Sequence, residues 1–418
     1  MSTSHQEHAM ADTTAPTTSS ASPARDRRTD RVPGRTQGVL LMFVSCLPIL
    51  GAVLLAPVLP SMQDAFAGTP GVEALVPVTL TIPALMIGLL APFAGGIVDR
   101  FGRTRLLVVA LVVYAAFGTA PLWLDGLPAI VLSRAGVGVT EAAIMTCCTT
   151  LIADYFSGAE RDRWLGLQTV FASVSATVFF AVGGGLGAVS WRAPFWLYAS
   201  SLVFAVLAAR LLWTPTGGAA DPADTGRPGG ALPPVPWRSV MPAVAVTLFG
   251  GVVFYTPIVE LPFALDRVGV TAVSTIGAMA ALASAATAVG AFTFGRVAGR
   301  GTSALLPVAF GLAGLGLVLM GATDAVAPTV AGAVLASAGT GLMLPTLLVW
   351  AITPLGFQQR GRGTGLWTAA LFIGEFLCPL LVLALTAVVG GLGGALVALG
   401  VAALAMAAGT RVGLTRVR

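Results

Sequence analysis

The sequence predicts an all-α membrane protein of twelve transmembrane helices in two six-helix halves, with both termini cytoplasmic. Three observations predict it. Of the 418 residues, 56% are hydrophobic and only 10% are charged, against roughly 25% charged in a soluble protein. The apolar residues gather into twelve runs, each close to the ~20 residues that cross a bilayer as a helix. The basic residues, all of them arginine, concentrate between alternate pairs of runs.

Residues 1–36 are rich in Ser, Thr, Ala, Pro and Arg and contain no apolar core. They read as a disordered cytoplasmic tail, neither signal peptide nor membrane span. The runs follow at about 38–60, 75–97, 105–124, 128–153, 164–188, 193–213, 240–263, 273–295, 303–322, 328–352, 363–388 and 391–410. The first six make a half over 37–213 and the last six a half over 239–410. Between them, 214–238 is so rich in Pro and Gly that it reads as a flexible cytoplasmic linker. Residues 411–418 form a short cytoplasmic tail.

The arginines test this topology. With the N-terminus inside, every arginine except Arg134, Arg192 and Arg267 falls in a cytoplasmic segment. Such a bias sets orientation. The net charge of +5 is scattered over cytoplasmic loops rather than clustered, which speaks against a nucleic-acid partner. Cys46, Cys147, Cys148 and Cys378 all lie inside apolar runs with no metal spacing, so they read as packing residues. His5 and His8 are the only histidines and lie in the tail, which leaves none to carry protons within the membrane. Prolines inside the runs (Pro57, Pro83, Pro92, Pro257, Pro345 and Pro379) are expected to mark kinks.

The two halves look related. Gly95 through Arg100 is echoed by Gly295 through Arg300, and Arg161-x4-Gly166-Leu167 by Arg360-x4-Gly365-Leu366. The first of these stretches, Gly95-Gly96-Ile97-Val98-Asp99-Arg100-Phe101-Gly102-Arg103-Thr104-Arg105, is a charged knot between two long apolar runs. It must be a hairpin, and Gly102 has no Cβ to oppose a tight reversal. The pattern resembles the loop 2–3 signature of the major facilitator superfamily, whose layout is a 6+6 repeat with an interior linker. The resemblance implies that Asp99 caps the start of the eleventh helix near Gly363, and that Arg103 pairs with Asp154 at the end of the fourth. Gly95, Asp99, Arg100, Gly102, Arg103, Asp154 and Arg161 would then form a cytoplasmic gate.

The fourth run contains Arg134-x3-Gly138-x2-Glu141-Ala142. A spacing of seven is two helical turns, so both side chains share a face about 10 Å apart. Ionisable groups at mid-membrane usually face an aqueous path and do functional work; the plainer alternative is a structural ion pair. The stretch resembles the helix 4 signature of the superfamily, and its Arg-to-Glu spacing also resembles spinster-like transporters and anion:cation symporters. That likeness implies a role for Arg134 and Glu141 in proton coupling or substrate binding. Burial and a neighbouring guanidinium act oppositely on a carboxyl's charge, so a change in their separation or in water access would load or release a proton. The fifth run carries Gly183-Gly184-Gly185 without the proline typical of drug:proton antiporters.

Two acids remain in the second half. Glu375 stands mid-way along the eleventh run, either facing a cavity as a fixed anion or bracing its helix. Glu260 stands near the outer end of the seventh, either at a cavity or wetted at the surface. The expected function is proton-coupled efflux of a small, fairly apolar molecule by alternating access. The alternatives are an uptake symporter or a facilitator of a small metabolite or organic anion, the latter attracted by Arg134. A membrane enzyme would offer His, Asp or Cys clusters, and a sensor would carry an added folded domain; neither is evident. No Gly-x4-Gly-Lys-[Ser/Thr] loop is present, so the proton gradient is the expected energy source, with no cofactor. The expected partners are the substrate, protons and the lipid of the cytoplasmic membrane, for a monomer.

Overall fold

Long apolar runs in hydrocarbon must satisfy every backbone N–H and C=O internally, and the helix does so within one segment. The computed structural model describes residues 33–214, 236–356 and 359–415. Among these residues, twelve helices are long and apolar enough to cross a membrane: α1 (Arg35–Ala65), α2 (Val72–Leu90), α3 (Arg103–Leu122), α4 (Leu127–Tyr155), α5 (Gly158–Gly187), α6 (Ala193–Leu211), α7 (Trp237–Arg267), α8 (Val273–Arg300), α9 (Thr302–Gly321), α10 (Val326–Ile352), α11 (Arg360–Val389) and α12 (Leu392–Val412). Most of the expected tail 1–36, most of the expected linker 214–238 and the last residues of the expected tail 411–418 lie outside the described residues.

Two runs are interrupted, each at one of the prolines expected to mark kinks. Helix α1 is interrupted: Arg35–Ser45, Leu47–Val53, a 3-10 turn at Ala56–Val58, then Leu59–Ala65. Pro57 lacks the N–H that would bond back one turn, and its ring crowds the carbonyl there. The second run, expected to continue to residue 97, stops at Leu90. Pro92 follows, and a separate short helix, Ala94–Phe101, carries the loop motif.

The internal repeat is visible in the packing. Contacts of α2 with α4, α3 with α4 and α3 with α6 recur six helices later as α8 with α10, α9 with α10 and α9 with α12. Across the halves, α2 packs on α11 and α5 on α8, a pair of contacts that the same repeat interconverts. Gly102 and Gly301, each just before the helix that follows, have φ of +81° and +79°. Only glycine takes that conformation at no steric cost, so both halves reverse direction by the same device. Outward faces carry exposed apolar side chains such as Leu132, Val203, Val289 and Val401, as expected of surfaces that meet lipid.

The two extramembrane arginines that broke the charge pattern have matching duties. Arg192 pairs with Asp125 at 3.2 Å and donates to the carbonyls of Leu122 and Leu124. Arg267 pairs with Asp324 at 3.6 Å and donates to the carbonyl of Thr323. Each ties its own helix end to a neighbouring loop on one face of the molecule. All four cysteines are buried and unbridged.

Candidate functional site

A cavity of about 650 Å³ lies between the halves, with walls from α1, α2, α4, α5, α7, α8, α10 and α11. Small residues make room for it, among them Ala172, Ala176, Ala280, Ala283 and Gly341. At one end it reaches Thr169, Gly295, Leu348 and Trp367, close to the arginine-bearing ends of α5, α8 and α11. The other end is closed where α5 crosses α8. There Gly184 and Gly277 meet backbone to backbone, so that a Cβ on Gly184 would sit 2.8 Å from the Cα of Gly277.

Glu141 stands at the middle of α4 on this cavity's wall, 1% exposed, and its Oε1 has no hydrogen-bond partner. It lies so close to Gly51 that any side chain at that position would collide with its carboxyl. Glu375, mid-way along α11 and also buried, lines the cavity from the opposite half.

Arg134 does not line the cavity, and no ion pair joins it to Glu141 among the described residues. This corrects the expectation of a shared water-accessible face. The guanidinium is fully buried and always charged, so its donors must be met inside the protein. Nε donates to the Thr79 carbonyl (3.1 Å), Nη1 to the Tyr198 hydroxyl (2.7 Å) and Nη2 to the Gly51 carbonyl (2.9 Å). The Tyr198 ring also stacks near its charge, 5.2 Å from the ring centre. Glu260 is corrected as well. It is 5% exposed, not wetted at the surface, and the cavity wall on α7 stops at Ile258. Continued helical rotation carries Glu260 away from the opening.

The break in α1 joins these groups. The Gly51 carbonyl takes Arg134, and the Ala52 carbonyl accepts from the Tyr255 hydroxyl of α7 at 2.7 Å. One turn earlier the Leu47 carbonyl accepts from Tyr114 at 2.6 Å. The sequence reading passed over these tyrosines. The signal was available: the chain has only four, and a buried tyrosine must find a partner for its hydroxyl.

At the loop motif, Gly102 turns the chain and Arg103, opening α3, forms a hydrogen-bonded ion pair with Asp154 in the last turn of α4. Gly95 and Arg100 are exposed. Arg161 sits at the surface beside Asp162, 3.9 Å away. The side chain of Asp99, expected near Gly363, lies outside the described residues.

The sequence model of the Major Facilitator Superfamily matches residues 41–300. The chain is 32% identical over 162 residues to the tetracycline resistance protein, class C, of Escherichia coli, covering 38% of this chain and 39% of that protein. It is 27% identical over 192 residues to the class B protein of the same species, covering 44% and 46%. It is 26% identical over 165 residues to the quinolone resistance protein NorB of Staphylococcus aureus (strain JH9), covering 39% and 34%. The chain thus spans less than half the length of these curated relatives. Its fold is that of a solved bacterial homolog of the human lysosomal transporter Spinster, in an inward-facing, unoccupied conformation. That comparison has a TM-score of 0.73 at 16% identity and covers 90% of this chain and 96% of the other. A family match over more than half the sequence and a shared twelve-helix fold lead to one conclusion: the chain is a multi-pass membrane protein that belongs to the Major Facilitator Superfamily.

Proposed function

We propose that the protein is a proton-coupled exporter of a small, fairly apolar organic molecule, working by alternating access in the cytoplasmic membrane. The observation that carries this reading is Glu141: a buried carboxyl with a free oxygen, on the wall of an apolar cavity between the halves. A carboxyl there can hold a proton from one side and lose it to the other as the cavity changes the side it faces. The resistance proteins to which the chain is similar favour export of a drug-like compound.

The arginine bias supports a cytoplasmic location for both termini and the loop motif. On that orientation the cavity opens inward and the α5–α8 crossing closes it outward, so the structure is an inward-open form. The Arg103–Asp154 pair would then brace the cytoplasmic ends of α3 and α4. An anion carrier would need a cation on the cavity wall. Arg134, the residue that suggested one, spends its charge on Thr79, Tyr198 and Gly51.

Proteoliposomes with an internal pH dye, challenged with a panel of apolar compounds, test the proposal. A substrate should drive proton movement opposite to its own, and an imposed proton gradient should concentrate it. Transport that never responds to the gradient, across compounds that do exchange, would defeat the coupling.

A further inference from the structure

The cavity does not open evenly. Across the halves α5 packs on α8 and α2 on α11. Along the first pair the gap widens toward the arginine-bearing ends. Gly184 and Gly277 touch backbone to backbone. Two turns further along, the Thr177 hydroxyl donates to that of Ser284 at 3.3 Å. Beyond that point a Cβ on Gly166 or on Gly295 would meet nothing within 4 Å. The second pair stays shut in the same half of the molecule. A Cβ on Gly88 would lie 3.2 Å from the Ala369 carbonyl, and one on Gly365 would lie 3.7 Å from the Cα of Pro92. The opening is therefore a slit on one side, with α2 and α11 closing the other.

The slit has the depth of one leaflet. Gly166 lies eleven residues from Thr177 on α5, and Gly295 eleven residues from Ser284 on α8. That is about 16 Å of helix, against about 15 Å of hydrocarbon in half a bilayer. Its walls suit lipid better than water. Neither stretch, 166–177 nor 284–295, contains a charged residue. The hydroxyls of Thr169, Ser173 and Thr293 each donate to a carbonyl one turn back in their own helix, so none is left to seek water. Phe292 lines the cavity and is yet 46% exposed. Val289 near it, and Val174 and Val178 on α5, are exposed as well. Of the twelve spanning helices α5 is the least buried, with the cavity on one side and the outer surface on the other.

We propose that cargo enters the cavity sideways, out of the cytoplasmic leaflet, through the slit between α5 and α8, while α2 and α11 stay joined at their cytoplasmic ends as the hinge. This rests on reading the cavity as the transport site. It defines the cargo by where it resides: a molecule apolar enough to dissolve among acyl chains, which present it at the Phe292 rim.

A nitroxide label tells lipid from water, because oxygen concentrates in hydrocarbon and a neutral nickel chelate in water. Ser173→Cys, labelled in proteoliposomes, should be relaxed more by oxygen than by the chelate. Glu160→Cys, exposed near the start of α5, should show the reverse. The native cysteines are buried, so the added thiol takes the label. A chelate-dominated signal at 173 overturns the sideways entry. The hinge is tested with a short reducible reagent that bridges two thiols. Bridging Ala91→Cys to Gly365→Cys should leave exchange of a panel compound within about twofold, whereas bridging Ser173→Cys to Ala288→Cys should lower it about tenfold or more until the bridge is reduced. Exchange that is lost on bridging 91 to 365 and restored by reduction overturns the hinge. Undiminished exchange with 173 bridged to 288 overturns the slit as the moving side. The labels need no gradient and no substrate. If no panel compound exchanges or responds to a gradient, the export reading fails and the signal at 173 still decides the slit. Gradient-driven accumulation with 173 in water would defeat the slit and leave export standing.

Discussion

Tyr255→Phe removes one oxygen and nothing else. The ring stays against the cavity, while the Ala52 carbonyl loses the donor that reached it from the other half. A neutral hydrogen bond contributes about 1 kcal/mol net, and leaving a buried carbonyl unpaired costs about 1–3 kcal/mol. The bond ties α7 to the interruption in α1, beside the closed end of the cavity. Its loss should therefore favour the form in which that end is parted. A shift of about 1–2 kcal/mol changes a two-state ratio by about 5–30-fold. Asp64 and Asp266 are exposed at the ends of α1 and α7 on that face, and the native cysteines are buried. Spin labels at 64 and 266 would report the separation by pulsed electron resonance. The longer-distance population should grow relative to the shorter by that factor, with the melting temperature little changed. An identical distance distribution in wild type and Tyr255→Phe would refute the idea that this bond holds the halves together.

Glu141→Gln should abolish accumulation driven by a proton gradient while leaving exchange of substrate across the membrane intact; gradient-driven uptake by the variant would move the coupling role to Glu375. Arg134→Ala loses three hydrogen bonds from a charged donor, each worth about 1.5–3 kcal/mol, and should melt far below wild type in detergent. Arg134→Lys should not restore it, because a point-like ammonium cannot span acceptors on α1, α2 and α6 at once; a wild-type melt for either variant would sink that account. Gly184→Leu would drive a side chain into the backbone of α8 at Gly277 and should hold the closed end apart, read as reactivity of a cysteine placed at Ala280 toward an impermeant reagent added on that side. Protection of that cysteine equal to the wild-type background would count against the crossing as a gate.

Much of the fold was legible because hydropathy is a property of long segments. A helix twenty residues long tolerates errors of a few residues, and the arginine bias and the repeat of Gly95–Arg100 at Gly295–Arg300 each constrain the topology independently. The interruptions were less legible. Pro92 ends α2, whereas Pro83, Pro257 and Pro345 remain inside continuous helices; neighbours decide which prolines a helix survives. At the site, spacing put Arg134 and Glu141 on one face of α4; both reach Gly51, but only Glu141 lines the cavity. Spacing could not say where a long guanidinium stem would turn. That depended on carbonyls released by the break in α1 and on a tyrosine of α6, both far away in sequence. The cavity-facing rotation of Glu375 and the inward turn of Glu260 were likewise set by packing between α7 and α11, which no single-segment pattern encodes.

The crossing of Gly184 and Gly277 has a thermodynamic side. Closing most protein surfaces freezes side chains, and each long one immobilised loses up to about 2 kcal/mol of rotamer freedom. At this point there is nothing to freeze. Two glycines that part and meet again give up no side-chain entropy in either direction, so this contact adds almost no ordering cost to either direction of the cycle. The bias between the two forms is left to groups that can be switched, a tyrosine hydroxyl and a carboxyl that gains or loses a proton, rather than to the bulk of the helices that move.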